Sequence, residues 1–186
     1  MRRSHEHALK AIDDELLVIR CQLGDRSAFD ALIARWAAPL AAHARRVCQD
    51  GDAAAELTQD IWLRAFRGIA RLRDPQRFRA WLFGIAHRAF ADSLRQRYTA
   101  LPLAGDESPA QIDPAAPAYE DLDLVERGLT RLPPVEREIL TLFYLQELSI
   151  AEIAEALAVA PGTVKSRLHR ARHLLRDIFE DEGELR

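Results

Sequence analysis

The chain predicts an all-α protein made of two small helical modules. Three observations carry this. Nearly every segment up to Arg97 repeats its apolar residues at helical spacing, and none alternates like a half-buried strand. A Pro-rich stretch without periodicity, 98–120, separates a first module at 13–97 from a second at 121–180. The second module then contains a capped helix, a short turn and another helix opened by proline.

Taken in order, Leu16, Leu17 and Ile19 begin a first helix that ends near Gly24-Asp25. Ser27 with Asp30 opens the second, whose apolar face is Phe29, Leu32, Ile33, Trp36, Leu40, Ala44 and Val47. Pro39 lies in that face and is expected to kink the helix, because proline removes a backbone donor and crowds the preceding turn. A third helix follows Gly51-Asp52, with Leu57, Ile61, Trp62, Ala65, Phe66 and Ile69 as its buried side. After the break at Arg73-Asp74-Pro75 a fourth carries Phe78, Trp81, Leu82, Ile85, Ala86, Ala89 and Leu94. Four such helices over roughly 85 residues can close a bundle.

The linker holds Pro102, Pro109, Pro114 and Pro117 with Gly105 and Ser108. From Tyr98 to Asp123 it carries Asp106, Glu107, Asp113, Glu120, Asp121 and Asp123 without a Lys or Arg. Fully extended it spans roughly 75 Å, whereas a flexible coil of that length averages about 26 Å end to end. Beyond it, Leu122, Val125 and Leu129 share one helix, Pro133-Pro134 stops it, and Ile139, Leu140 and Phe143 lie on the next.

The most informative stretch is Leu148 to Phe179. Ser149 with Glu152 is a capping-box signature, and Ile150, Ile153, Ala154 and Leu157 follow at i, i+3, i+4 and i+7. Ala158-Val159-Ala160 connects to Pro161, which suits the first turn of a helix. Along that helix Val164, Leu168, Ala171, Leu175 and Ile178 share one face. Ser166, His169, Arg170 and His173 point away from it, flanked by Lys165, Arg167 and Arg172. Lys165, Arg167, Arg170, Arg172 and Arg176 stand between Pro161 and Arg176 with no acid among them. A helix-turn-helix presents the start of its second helix to base edges, and each phosphate neutralised by such a cation releases counterions, so the pattern reads as DNA binding.

A second basic stretch lies in the first module. Arg71, Arg73, Arg77, Arg79, Arg88, Arg95 and Arg97 face only Asp74 and Asp92, with Phe78 and Trp81 between them. Cations along phosphates beside aromatic rings suit single-stranded DNA, and the loop Leu72 to Arg77 suits a pocket for a flipped base.

The formal charge of −3 conceals these local excesses. Cys21 and Cys48 lack Cys-x-x-Cys spacing, and neither they nor His5, His7 and His43 complete a tetrahedral metal set. There is no Gly-rich phosphate loop and no nucleophile with its base, so neither an enzyme nor a cofactor is expected. No apolar run reaches the roughly 18–20 residues of a membrane span, and Met1 to His7 has no apolar segment after it, so a cytoplasmic protein is expected.

The segment LSIAEIAEALAVAPGTVKSRLHRARHLLR resembles region 4 of bacterial sigma-70-family factors of the extracytoplasmic-function group. AAAELTQDIWLRAFRGIARLRDPQRFRAWLFGIAHRAFADSLRQR resembles region 2 of the same family. The resemblance implies a transcription initiation factor that binds the clamp coiled coil and flap of core RNA polymerase and recognises promoter DNA. It implies that Glu56, Gln59, Asp60 and Arg64 face the polymerase. It also implies that Arg73, Asp74, Gln76, Arg77, Phe78, Trp81, Arg88 and Arg95 meet the melted minus-10 element. Arg88 stands where the family commonly has Asn, so a phosphate contact is expected there. For the minus-35 element the implied residues are Lys165, Ser166 and Arg170, with Thr163 and Arg167 on the backbone. An anti-sigma factor, which could hold the protein at the inner membrane, is the further partner implied. Two other classes compete. A regulator using the helix-turn-helix alone leaves residues 53–97 unexplained, and a helical adaptor would bind no DNA.

Overall fold

The computed structural model describes the backbone of residues 13–100 and 120–184, and side chains over 13–96 and 124–181. Helix α1 covers 13–22. It is followed by α2 (Arg26–Cys48), α3 (Gly51–Gly68), α4 (Phe78–Ala100), α5 (Glu120–Arg131), α6 (Pro134–Leu140), α7 (Ile150–Ala156) and α8 (Pro161–Glu184). Among the described residues there is no strand. Most of the Pro-rich segment, His5 and His7 lie outside the described residues. Tyr98 and Thr99, read from the sequence as linker, belong to the last turn of α4.

Local chemistry sets the helix starts. The Asp25 carboxylate accepts from Ser27 N at 3.0 Å and caps α2, so the cap lies two residues before the expected Ser27. Asp50 does the same for α3 through Ala53 N at 2.8 Å. Each carboxylate satisfies an orphan N–H of a first turn. Helix α2 runs unbroken through Pro39, whose carbonyl accepts from Gln146 Nε2 at 3.4 Å. After α6 the chain widens into a π-helical turn over Thr141–Leu145.

The two modules share one core. Helix α4 has Phe78, Ala80, Leu82, Phe83, Ile85, Ala86, Ala89 and Phe90 buried. It can be apolar nearly all round because α2 and α3 cover one side and α7 the other. At Gly84 the α4 backbone comes so near α7 that a Cβ there would lie 3.2 Å from the Ala156 carbonyl oxygen.

Polar contacts cross the same seam. Arg46 donates to Glu126 at 2.6 and 2.8 Å, and Gln49 to the Thr130 carbonyl at 2.5 Å. His87 Nδ1 lies 3.0 Å from both carboxylate oxygens of Glu138. Arg137 is 5% exposed and donates to the carbonyls of Leu132 (2.7 Å), Leu129 (3.0 Å) and Val47 (3.2 Å). Half-buried Arg79 donates to the Gln146 carbonyl.

Some side chains expected in the core lie outside it. Phe66 is 58% exposed, because it projects from α3 far around from Leu57, Ile61 and Ala65, and it rests edge-on against the Phe29 ring at 5.2 Å. Leu16 and Ile19 are also exposed, while Val18 is the buried apolar residue of α1, with Asp14 buried beside it. Val125 is 36% exposed at the rim of α5.

Candidate nucleic-acid interface

In the second module the helix-turn-helix is built as its sequence requires. Ser149 Oγ accepts from Glu152 N at 3.2 Å, and Glu152 accepts from Ser149 N at 2.8 Å, so both halves of the capping box form. Ala158 takes a left-handed conformation, φ 53°, at the turn. Helix α8 starts at Pro161 and buries Val164, Leu168 and Ala171 fully, with Leu175 and Ile178 partly covered. That seating fixes the opposite face. Lys165, Ser166 and Arg170 are exposed, and Thr163 and Arg167 half-buried beside them. Arg170 is anchored by the buried Glu136 carboxylate at 3.2 Å. Arg172 lies 5.6 Å from the ring centroids of both Phe143 and Tyr144, a cation–π clamp that ties α8 to the π-helical turn.

In the first module a cleft of about 400 Å³ opens where the loop after α3 meets α4. Leu72, Arg73, Asp74, Arg77, Ala80, Trp81, Gly84 and Arg88 line it, and Glu155 of α7 closes one side. The loop is held in shape. Asp74 caps the turn Pro75–Arg77 through Gln76 N at 3.1 Å and accepts from Arg77 Nε at 3.1 Å. Gln22 of α1 donates to the Leu72 and Ile69 carbonyls at 2.7 and 3.2 Å. Trp81 lies over Gly68, where a Cβ would meet the indole at 3.0 Å, so glycine lets the ring come close to α3.

The structure gathers Arg73, Asp74, Arg77, Trp81 and Arg88 around this cleft, while exposed Gln76 is tied outside it to Glu15 at 3.4 Å. Phe78 is 1% exposed, packed between Trp36 and Trp81, so the ring anchors α4 and is not on the surface that would meet DNA. Arg95 points to Asp92, one turn back on α4 and away from the cleft. Arg77 also reaches Glu155 at 3.2 Å. Sequence reading missed Glu155, because nothing local in α7 shows which face meets α4.

On α3, Glu56 and Gln59 are exposed and Asp60 half-exposed, with exposed Leu63 and Phe66 on the same side. Arg64 bridges Asp60 and Asp92 at 2.8 Å each, and these bonds hold its guanidinium above the usual arginine pKa. Its cation is thereby committed to the helix pair. Leu63 was legible as an apolar residue on the polar face of α3.

Comparison with known proteins assigns both modules. The family described as Sigma-70 region 2 matches residues 32–99, and Sigma-70, region 4 matches residues 122–175. The chain is 38% identical over 160 residues to the ECF RNA polymerase sigma factor SigM of Mycobacterium tuberculosis, covering 86% of this chain and 81% of that protein. It is 34% identical to the ECF RNA polymerase sigma factor SigE of Mycolicibacterium smegmatis, covering 83% of this chain and 63% of that longer relative. Among solved structures, CnrH in complex with the cytosolic domain of CnrY superposes with a TM-score of 0.69 at 27% identity, covering 91% of this chain and 98% of that one. The sigma factor RpoE in complex with the anti-sigma factor NepR from Bartonella quintana gives the same TM-score at 25% identity, covering 82% and 96%. With both regions matched in order, and with relatives matched along most of its length, the chain belongs to the extracytoplasmic-function family of RNA polymerase sigma factors.

Proposed function

We propose that this protein binds core RNA polymerase and directs transcription initiation at promoters with two separated elements, without covalent chemistry of its own. The first module, 13–100, docks on the polymerase through the outer face of α3 and takes a base of the melted minus-10 strand into the cleft bordered by Arg73, Arg77, Trp81 and Arg88. The second, 120–184, reads the minus-35 element with Lys165, Ser166 and Arg170, while Thr163 and Arg167 hold the backbone. The observation that carries this is the coexistence, on one chain, of a cationic cleft floored by an indole and a capped helix-turn-helix with a cationic outer face. Stacking a base on an aromatic ring recovers about 1–3 kcal/mol, enough to offset its unstacking. An anti-sigma factor is the proposed regulator, since a similar sigma factor was solved in complex with one.

The test is run-off transcription from a library of promoter sequences with purified core polymerase, with and without this chain. Enrichment of one two-part promoter in the presence of the chain is the expected result. Unchanged start sites would overturn the proposal, and tight specific binding by the chain alone, unaffected by polymerase, would favour a stand-alone regulator.

A further inference from the structure

On the outer face of α8, one turn beyond Ser166 and Arg170, two exposed histidines stand at i and i+4. The Nε2 atoms of His169 and His173 are 3.1 Å apart, and their ring centroids 4.3 Å. Two imidazole nitrogens at this separation, each at a zinc–nitrogen distance of about 2.05 Å, subtend about 98° at a shared ion, between the octahedral and tetrahedral angles. We propose that His169 and His173 form a two-imidazole chelate for a divalent transition-metal ion, with solvent completing the coordination. The inference goes beyond the promoter-reading role and does not depend on it.

The surroundings set how this site behaves. Arg176 Nη2 donates to His173 Nδ1 at 2.8 Å, so without metal the proton of His173 sits on Nε2 and is given to His169 Nε2. An ion on Nε2 moves that proton to Nδ1, and Arg176 must then let go. Glu180 and Asp177 stand 3.5 and 3.9 Å from Arg176 Nε and receive it. Arg176 thus competes with the metal for the pair, and Arg170 and Arg172 add repulsion. Selectivity follows ligand chemistry: imidazoles favour copper, nickel and zinc over magnesium.

The experiment titrates the full chain with copper(II), zinc(II) or magnesium(II) chloride. It follows copper by electron paramagnetic resonance and zinc by calorimetry. The expected result is one ion per chain at this site, copper tighter than zinc and no magnesium bound, with hyperfine coupling to two imidazole nitrogens. H169N and H173N each weaken binding beyond the about 10–100-fold that loss of a mere outer-shell partner causes. Arg176→Gln tightens it several-fold, a change that nonspecific metal binding would not show. The double variant H5N/H7N leaves the site intact and removes any binding by the other closely spaced pair. Circular dichroism checks that the exposed substitutions keep the helix. Binding unchanged in both H169N and H173N, or lost in H5N/H7N, would overturn the proposal.

Discussion

Arg137 is where the fold places its largest polar wager, and replacing it asks whether the two modules unfold as one. Its hydrogen bonds go to five carbonyls; those of Leu132, Leu129 and Val47 are buried, those of Arg46 and Thr130 are longer at 3.4 Å, and Val47 and Arg46 belong to α2 in the first module. In Arg137→Met the buried carbonyls lose a donor, at about 1–3 kcal/mol each. The loss is partly offset because burial disfavours the guanidinium, whose pKa is lowered to about 10, a penalty of about 3 kcal/mol that the substitution relieves. The net destabilisation is about 3 kcal/mol. All three tryptophans, Trp36, Trp62 and Trp81, lie in the first module. Their fluorescence therefore reports unfolding of the module that does not contain residue 137. In a cooperative two-module unit the tryptophan transition in urea moves down by about 1 M or more, together with the circular dichroism. An unmoved fluorescence transition beside a shifted dichroism signal would refute the shared core.

The remaining predictions are more local. Buried His43 is held at about 4, against an ordinary 6.5, chiefly by desolvation, with Glu138 opposing and Arg46 and His87 adding to it. The unfolded chain therefore takes up a proton below about 6.5 that the folded chain refuses until about 4. Stability from this residue is full above that window and falls as pH drops through it. Between pH 7 and 5.5 the loss is about 1 kcal/mol, and His43→Leu should remove that slope in chemical denaturation. Arg170→Ala is expected to weaken binding to the cognate upstream element by about 1–3 kcal/mol and binding to random DNA by less. Equal losses in fluorescence anisotropy would make Arg170 a phosphate clamp only. Phe66→Ala should cost little in stability, given the exposure of the ring, yet weaken association with core polymerase in pull-down titration. Unchanged association would remove the apolar part of the α3 face from the docking surface.

Much of this was legible in the sequence because it is local. The capping box at Ser149, the proline start at Pro161 and the buried stripe of α8 depend on residues within a few turns of one another, and the structure reproduces each. The assignment of Phe66 to the core failed for a definable reason. Helical spacing places residues on faces but does not say how wide the covered arc is, and α3 is covered only around Leu57, Ile61 and Ala65. For Phe78 the helical spacing was the better guide: its place on the apolar side of α4 is realised between Trp36 and Trp81, and the minus-10 contact that the resemblance implies is not on the surface. The seam between modules left one sign: Ala80 and Gly84, four residues apart, put small residues on a side of α4 far around from the Leu82, Ala86 and Phe90 stripe. A helix of that kind needs neighbours on both sides, but its sequence does not name the second.

Glu155 gives the seam a temporal meaning. Its carboxylate already pairs with Arg77 beside the cleft, whereas the outer side of α3 stays open to solvent. If these surfaces serve as proposed, the polymerase can be met at once, whereas the unwound strand must first displace the Glu155 carboxylate from Arg77. Order of assembly would then be written into the resting shape, without a separate timer.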